Sequence, residues 1–316
     1  MTMLRFRYYK AAFALSFVLL MPLLLFAKPR KEGTETIEDI LPVASRWLSP
    51  SGWQQGMPFV FLRDDIGMSL TPEVPESFKD TLAVKGGIWH YDSMVSEEDW
   101  MGQELLQLRF LSPTGKAYRF STGRPMSSAL DPNYQPVIGC LYPLQLIQQV
   151  DSVLRAQTLY ILLNDERVQY MADTVVGLKH EKFVPVVIDS VTSGNELAPV
   201  AVYFHREKPD GGSEAGSFLA SLPGSRETGT STSLSRFLSL SDPYLLHPDI
   251  EPAIWNLIKQ SSVRLDMTAE EVRLALGRPL KVEKGASRTG MVELWFYGNN
   301  QVLQIWDGRL YKVGIL

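Results

Sequence analysis

One stretch near the C-terminus marks both ends of a helix: Val263-Arg264-Leu265-Asp266-Met267-Thr268-Ala269-Glu270-Glu271-Val272-Arg273-Leu274-Ala275-Leu276-Gly277-Arg278-Pro279. Thr268 followed three residues later by Glu271 is a capping box, in which each residue satisfies a backbone N–H of the other. Gly277 can adopt the left-handed conformation that ends a helix, and Pro279 prevents its continuation. None of these side chains is a nucleophile. The stretch predicts a type of domain, but no reaction.

The residues on either side of this helix predict an α+β arrangement. Before it, Asp249 is positioned to cap another helix that carries Pro252 in its first turn. After it, apolar alternation predicts strands at 291–297, 301–306 and 309–315, the last two joined by the two-residue hairpin signal Asp307-Gly308. The predicted order is helix, helix, three-stranded antiparallel meander, with the helices on one face of the sheet.

These motifs carry a resemblance to a known family. Met267-Thr268-x-x-Glu271-Val272, then Leu276-Gly277-x-Pro279, Trp295-x-Tyr297 and Asp307-Gly308, resembles the SmpA/OmlA (BamE-like) envelope domain over roughly the last fifth of the chain. The resemblance implies two helices on a three-stranded sheet and an accessory role in outer-membrane protein assembly. The same fold, duplicated, occurs in proteinaceous β-lactamase inhibitors. Two features depart from the family: Asp266 stands where it usually has Gly, and there is no lipobox cysteine near the N-terminus.

The N-terminus has the pattern of a bacterial export signal. Arg5, Arg7 and Lys10 precede an apolar run over 11–27, which is long enough for a signal sequence and short for a membrane span. We predict a signal peptide at 1–27, cleaved after Ala27, with an uncleaved anchor as the alternative. Residues 28–40 are predicted to be a solvated leader.

Composition limits the class of protein and its partners. The 316 residues include 31 basic and 35 acidic ones, for a net charge of −4, so nothing favours a nucleic-acid partner. The one cysteine, Cys140, cannot form an intramolecular disulfide, and its apolar neighbours predict burial. Export without disulfides favours a bacterial periplasm. The predicted location is periplasmic or outer-membrane associated, and without a lipobox cysteine membrane association stays open.

The chain between the leader and the C-terminal domain is β-rich and carries a weak internal repeat. The run 59–65 is similar to 160–166, 92–95 to 189–192, and 106–110 to 200–204. We predict two tandem β modules, 41–150 and 151–207, each a small barrel or sandwich; chance likeness between generic strands is the alternative. Residues 208–233 are rich in Gly and Ser and predict a flexible loop or linker. The BamE-like α+β domain is predicted at 234–316, so the fold class is mostly β with a C-terminal α+β domain.

No catalytic, cofactor-binding or metal-binding motif is present in the sequence. The four histidines, His90, His180, His205 and His247, are scattered rather than spaced as metal ligands. The acidic run Glu97-Glu98-Asp99 is interpreted as a solvated charge run, because consecutive acids point in different directions. We predict that the protein is not an enzyme and needs no cofactor or metal.

The aromatic residues of the predicted meander are the candidate partner-binding residues. Trp295 and Tyr297 lie on one face of their strand, opposite Val292, Leu294 and Phe296. If the aliphatic face forms the core, the aromatic face is exposed, and exposed aromatic patches tend to bind partners. The alternative is that both aromatic residues are buried. With Arg288 in the predicted loop 284–290, they form the predicted partner-binding set: Trp295, Tyr297 and Arg288.

Two classes of function follow. The first is a non-catalytic, exported cell-envelope protein that binds or scaffolds other envelope proteins, as the resemblance implies. The second is a periplasmic hydrolase with a site between the β modules, or an inhibitor of a hydrolase. A flat aromatic patch is expected in the first class, and a cleft with convergent polar groups in the second. The absence of catalytic motifs favours the first.

Overall fold

Antiparallel β-sheets dominate the fold. A computed structural model describes residues 36–41, 48–65, 70–74, 85–163, 165, 167–170, 180–208, 211–225, 232–287, 290–298 and 300–315. These residues belong to one compact unit and form three antiparallel sheets joined by short helices. The prediction that the protein is mostly β is therefore confirmed. None of the helices in these ranges is long and apolar enough to span a bilayer.

Sheets 1 and 2 each contain six strands. Those of sheet 1 are β1 (Pro58–Phe61), β2 (Thr71–Pro72), β3 (Ile88–Glu98), β4 (Glu104–Leu111), β5 (Ala117–Pro125) and β6 (Leu141–Pro143), in the order β2-β5-β4-β3-β1-β6. Those of sheet 2 are β7 (Thr158–Ile161), β8 (Val168–Tyr170), β9 (Val184–Ser193), β10 (Val200–Glu207), β11 (Ser213–Ala220) and β12 (Leu238–Ser239), in the order β12-β7-β9-β10-β11-β8. Read from the opposite edge, the second order matches the first strand for strand.

Sheet 3 is a four-stranded meander rather than the predicted three-stranded one. Its strands are β13 (Lys281–Ser287), β14 (Gly290–Phe296), β15 (Gln301–Trp306) and β16 (Arg309–Ile315), in chain order. The additional strand, β13, covers most of the stretch 284–290 that was predicted as a loop. Residues 281–286 are all exposed, so this edge strand needs no apolar face, and its charged sequence hid it from an argument based on hydrophobic alternation.

Among the residues that the structure describes, six short α-helices connect and cover the sheets. They are α1 (Ile37–Ile40), α2 (Leu144–Leu154), α3 (Leu234–Phe237), α4 (Pro243–Leu246), α5 (Pro252–Lys259) and α6 (Ala269–Leu276). Helix α2 follows sheet 1 in the chain but packs on sheet 2, where Leu146, Ile147, Val150 and Leu154 join its core. Helices α5 and α6 follow sheet 2 and share the core of sheet 3. The helix after each six-stranded sheet thus covers the next sheet.

The helix predicted between Thr268 and Gly277 is α6, and its capping box is present. The Thr268 hydroxyl oxygen accepts the Glu271 N–H at 3.2 Å, and the Glu271 carboxylate accepts the Thr268 N–H at 2.7 Å. Gly277 ends the helix with φ of 82°. The prediction for the preceding helix was wrong at its start. Helix α5 begins at Pro252 and its N-cap residue is Glu251, two residues after the predicted N-cap Asp249. The N-cap side chain makes no capping hydrogen bond.

The central strands of sheets 1 and 2 share a β-bulge at equivalent residues. In sheet 1 the pairing of β3 with β4 shifts at Asp92, between Tyr91 opposite Phe110 and the following pair. In sheet 2 the pairing of β9 with β10 shifts at Asp189, next to the pair of Ile188 and Phe204. A bulge is a specific backbone feature that bends one strand, so its recurrence at one position is strong evidence of a common architecture.

A second backbone feature recurs before β3 and β9. Gly86 has φ of 84° and donates its N–H to the Phe61 carbonyl, while Phe183 has φ of 57° and donates to the Ile161 carbonyl. These pairs are equivalent when the two bulges are aligned. The alignment predicted for the first strands was wrong by one residue, because Phe59 corresponds to Leu159 and not to Tyr160. A slip of one residue exchanges the buried and exposed faces of a strand.

Two segments that were predicted to lie outside the folded modules, the linker and the leader, contain regular secondary structure. The predicted linker 208–233 contains β11, whose Gly216, Phe218 and Ala220 are buried between β10 and β8. Sheet 2 continues to β12, so it extends beyond 207 and into the range predicted for the C-terminal domain. Gly- and Ser-rich composition predicts disorder only when no neighbour supplies the apolar contacts. The predicted leader likewise includes α1, whose Ile37 is buried in the core of sheet 2. Residues 1–27 lie outside the described residues.

Candidate protein-binding surface

The two faces of sheet 3 are exchanged relative to the prediction. The face that packs on α5 and α6 carries Trp295, with Leu303 directly opposite on β15. Trp295 is fully buried, and its indole N–H donates to the Glu293 carboxylate at 2.8 Å. The Arg273 guanidinium of α6 lies 4.5 Å from the centre of its ring. Trp295 therefore stabilises the core, and its prediction as an exposed partner-binding residue was wrong.

Tyr297 and Arg288 complete the predicted set. Tyr297 is half-buried, and its hydroxyl donates to the carbonyl of Gly277 at 3.2 Å, which ties the end of β14 to the end of α6. Burial raises the pKa of Tyr297 to about 12, so the phenol stays protonated at neutral pH. Arg288 lies outside the described residues. The structure therefore does not bring the three predicted residues together on one exposed surface.

The opposite face of sheet 3, here called the outer face, is the apolar surface left open. It carries Val292, Leu294, Phe296, Val302 and Trp306, which the strand register places on the same side. All five side chains are half-buried, and none belongs to a hydrophobic core formed by the described residues. Gln304 lies on the same side, between Val302 and Trp306 on β15. An exposed apolar patch of this kind is typical of an interaction site.

A cleft opens where the outer face meets the last hairpin. It has a volume of about 530 Å³ and is lined by Trp306, Tyr311 and Leu310, with Asp266, Asp307 and Arg309 as its polar groups. The rings of Trp306 and Tyr311 lie 5.8 Å apart at an angle of 49°. Tyr311 is 62% exposed. Aromatic and arginine side chains at a concave surface are the residue types that dominate binding energy at protein interfaces.

The hairpin that holds this cleft is specified locally. Asp307 and Gly308 both have positive φ, 44° and 79°, as the predicted two-residue turn requires. The Asp307 carboxylate accepts the Met291 N–H at 2.9 Å. A Cβ at Gly290 would lie 2.5 Å from this carboxylate, so a glycine is needed there. The turn places Trp306 directly opposite Arg309. The hairpin signal in the sequence located this turn, but no binding site was predicted there.

Asp266, at the rim of the cleft, occupies a left-handed backbone conformation. Its φ is 75°, and its N–H donates to the Leu310 carbonyl at 2.8 Å. Its own carbonyl accepts from the Arg309 guanidinium at 2.9 Å. Aspartate tolerates this conformation better than most residues, and glycine better still. The position at which this chain differs from the resembled family is therefore one where the backbone favours glycine.

A charged network lies on sheet 1. Arg109 donates to Glu73 at 3.0 and 3.1 Å and to Asp92, and Arg119 donates to Glu73 at 2.8 Å. The hydrogen bond from Arg109 lowers the pKa of Glu73, and those from Gln55 and Arg109 lower the pKa of Asp92. Both carboxyls are therefore held as paired anions, a state that stabilises the sheet and does not suit a general acid.

A second cleft, of about 540 Å³, lies beside this network. Its lining comes from sheet 1 and the adjoining loops, and it includes the acidic run Glu97-Glu98-Asp99. The Asp99 carboxylate accepts the N–H groups of Met101 and Gln103, both at 2.9 Å, and so closes the turn between β3 and β4. The hydrolase alternative expects a site between the two β modules, whereas this cleft is lined by sheet 1 residues alone.

Sheet 2 carries buried charge of a different kind. Lys182 is 6% exposed, and its ammonium donates to the carbonyls of Leu274 and Ala275 at the end of α6, at 2.6 and 2.5 Å. Burial lowers the pKa of Lys182 to about 8. Glu214 is buried as well and binds Arg206 at 2.6 Å. These contacts join structural elements and line none of the clefts above.

The sequence predicts no metal site. Among the described residues, no three His, Cys, Asp or Glu side chains lie close enough to hold a metal ion. Cys140 is buried, and burial raises the pKa of its thiol to about 12, which suppresses the nucleophilic thiolate.

Comparison of the chain with protein-family models, with curated proteins and with solved structures finds no match.

Proposed function

We propose that the protein is an exported, non-catalytic cell-envelope protein that binds other envelope proteins through the outer face of sheet 3. The observation that carries this proposal is the open apolar row on that face, which ends in the cleft of Trp306 and Tyr311. Burying such a row against a partner is favourable by roughly 25 cal/mol per Å² of apolar area. The alternative surface, made of Trp295 and Tyr297, is used by the fold itself.

The resemblance to the BamE-like domain supports the location and the kind of partner. Two helices on one face of an antiparallel sheet, with the capping box of α6, agree with what it implies. The fourth strand, β13, departs from the three strands it implies. Export rests on the basic and apolar pattern of residues 1–27. Under this proposal the protein works in the periplasm or at the outer membrane.

We also infer that sheets 1 and 2 are two copies of one β module. The shared strand order, the bulges at Asp92 and Asp189, and the left-handed residues Gly86 and Phe183 support this inference independently of one another. Sequence likeness is weak between the two sheets, and the shared backbone features are what generic strands would not reproduce. In this proposal the two modules act as a support that presents sheet 3.

The test is partner capture with matched tryptophan variants. Trp306→Ala removes the aromatic wall of the cleft, and Trp100→Ala removes a tryptophan that is 90% exposed on the turn between β3 and β4. Intact cells carrying tagged copies are cross-linked, and co-purified envelope proteins are quantified. We expect Trp306→Ala to reduce recovery at least tenfold, the size of an interface hot spot, and Trp100→Ala to leave it unchanged.

Equal recovery with both variants would exclude the outer face as the binding surface, provided that thermal unfolding shows both to be folded. A triple variant, Leu294→Ser with Phe296→Ser and Trp306→Ala, extends the test to the whole row. Retained capture by this variant would overturn the proposal even if a single substitution is too mild.

A hydrolase site in the cleft on sheet 1 differs from the alternative predicted between the two β modules, and it is tested separately. Its supporting observation is the group of acidic residues there, Glu97-Glu98-Asp99, in a concave site. A panel of ester, glycoside and peptide substrates is assayed with the wild type and with Glu97→Gln and Glu98→Gln. Activity that both substitutions abolish would establish an enzyme. Inhibition of a β-lactamase panel by the purified protein tests the inhibitor alternative.

A further inference from the structure

The two edges of sheet 3 differ in how they are protected. At one edge, β13 carries Lys281, Glu283 and Lys284, the kind of charged sequence with which proteins discourage pairing by another chain. At the other edge, β16 carries Tyr311, Val313 and Ile315, which are 62%, 43% and 84% exposed. The register of β16 shifts between Leu310 and Lys312, so Tyr311 lies in a β-bulge, whereas Val313 and Ile315 share the face that carries Leu303. Exposed apolar side chains on an edge strand are what a pairing strand would cover.

Only the first part of the β16 edge is paired within the described chain. The Leu310 N–H donates to the Met267 carbonyl at 2.7 Å, and the Leu310 carbonyl accepts from Asp266 at 2.8 Å. Beyond Leu310, no strand of the described chain lies on the side of β16 that faces away from β15, because β16 is the last strand of its sheet. Backbone groups on such an edge form a template for a further strand.

The sequence of this edge is self-complementary. In an antiparallel pairing centred on Val313, Val313 faces its own copy and Lys312 faces Gly314, while Tyr311 lies in the bulge at the end of the paired segment. The two β-branched valines form a favourable cross-strand pair, and no two like charges face each other. The lysine meets a residue without a side chain. This symmetry favours a second copy of the chain over an unrelated strand.

We propose that the protein forms a two-fold symmetric dimer in which residues 311–315 of β16 pair antiparallel with the same residues of a second copy. The two four-stranded sheets then make one sheet of eight strands, and the two outer faces adjoin across the dimer axis. Isologous contacts of this kind close on themselves, so both β16 edges are covered and only the charged β13 edges stay at the ends of the sheet. The proposal does not depend on whether the outer face binds envelope proteins.

Disulfide cross-linking tests the register. Opposed Cα atoms in an antiparallel pair are about 5 Å apart, within reach of a disulfide. Val313→Cys should therefore form a covalent dimer under mild oxidation, while Tyr311→Cys should not, since its copy lies about 14 Å along the strand. A mixture of Lys312→Cys and Gly314→Cys proteins should cross-link as a heterodimer. The wild type is the control, because its one cysteine is buried.

Charge variants test the association itself by sedimentation of the purified protein. Val313→Lys places two ammonium groups opposite each other, and we expect the dimer dissociation constant to rise at least tenfold, as like-charge contacts at interfaces produce. Val282→Lys is the matched control, since Val282 is 38% exposed on the β13 edge. Mixing Val313→Lys with Val313→Glu should restore a dimer, which also shows that both variants are folded.

A wild type that remains monomeric at all accessible concentrations would overturn the proposal. Equal cross-linking at positions 311 and 313 would also overturn it, because the register then differs. Loss of partner capture with an intact dimer would count against the proposed function alone, so the two failures are distinguishable.

Discussion

Gly86 in sheet 1 and Phe183 in sheet 2 occupy the same backbone position, yet the two sheets surround it differently. Both have positive φ and both donate to the carbonyl that ends the first strand of their sheet. Gly86 follows the exposed Lys85, whereas Phe183 follows the buried Lys182. The Phe183 ring packs edge-on at 5.8 Å from Trp255 of α5.

In both sheets strand pairing determines the backbone conformation at this position. The layer of elements that packs on the sheet determines which side chain is favoured there. A left-handed non-glycine residue costs about 1–2 kcal/mol, and burying a phenylalanine side chain contributes about as much or more. In sheet 2 the helices before sheet 3 supply that burial. In sheet 1 nothing in the described chain packs on Gly86, and a glycine avoids the cost.

The largest effect is expected where the two sheets are most alike. Phe110 and Phe204 are fully buried beside the equivalent bulges. Phe110→Ala and Phe204→Ala should each lower the free energy of unfolding by about 3–5 kcal/mol, through lost contacts and a cavity. Chemical denaturation measures the loss, and hydrogen exchange assigns it to a sheet. A loss under 1 kcal/mol for only one of them would show that the two cores are not equivalent.

The next effect separates the two lysines. Lys182→Met removes a donor from two carbonyls at the end of α6 and should lower the free energy of unfolding by about 1–3 kcal/mol. Lys85→Met, at the equivalent exposed position, should change it by no more than about 0.5 kcal/mol. Denaturant unfolding of both variants measures the difference. Equal effects would contradict the different roles assigned to these two positions.

The pH dependence sharpens this contrast. The pKa of Lys182 is lowered by burial from 10.5 to about 8, so between these values the unfolded chain binds more protons than the folded one. Stability from this group therefore rises as pH increases from about 8 towards 10.5. The difference between wild type and Lys182→Met should change over that range, while Lys85→Met should follow the wild type. Parallel curves for all three proteins would refute the assignment.

A smaller effect is expected at the glycine. Gly86→Ala meets no atom within 4 Å, so its cost comes only from the left-handed backbone, at about 1 kcal/mol. Gly285→Ala, also in open space but without positive φ, is the control and should be neutral within about 0.5 kcal/mol. Thermal unfolding of the two variants is sufficient. A neutral Gly86→Ala would remove the argument that Phe183 is strained.

The smallest effect concerns the charged network of sheet 1. The lowered pKa values of Glu73 and Asp92 mean that their stabilisation is present above their ordinary values, 4.5 and 3.8, and is lost as pH falls below them. Because the network is partly exposed, Arg109→Met should cost about 1 kcal/mol or less at pH 7. The cost should shrink at pH 3. An unchanged cost in acid would show that Arg109 acts through packing alone.

Local interactions could be predicted from the sequence, whereas contacts between distant segments could not. The fold class, α6 with its capping box and the Asp307-Gly308 hairpin were predictable, because each depends on residues a few positions apart. Strand β11 was missed because it pairs on one side with β8, which is distant in sequence. Strand β13 was missed because it is an edge strand that tolerates charge. The candidate site was predicted on β14, which does carry part of it, but on the face of β14 that packs inward.

By itself the sequence determined the local elements, since hydrogen bonds of caps and turns and the alternation of a strand are properties of short segments. Only the tertiary structure decided which face of β14 packs inward, because both faces carry large apolar side chains and the helices α5 and α6 select one. It also decided that Lys182 is buried and Lys85 exposed, although both precede a left-handed residue. Whether a side chain is buried depends on which elements from elsewhere in the chain pack on it, and a short segment does not encode that.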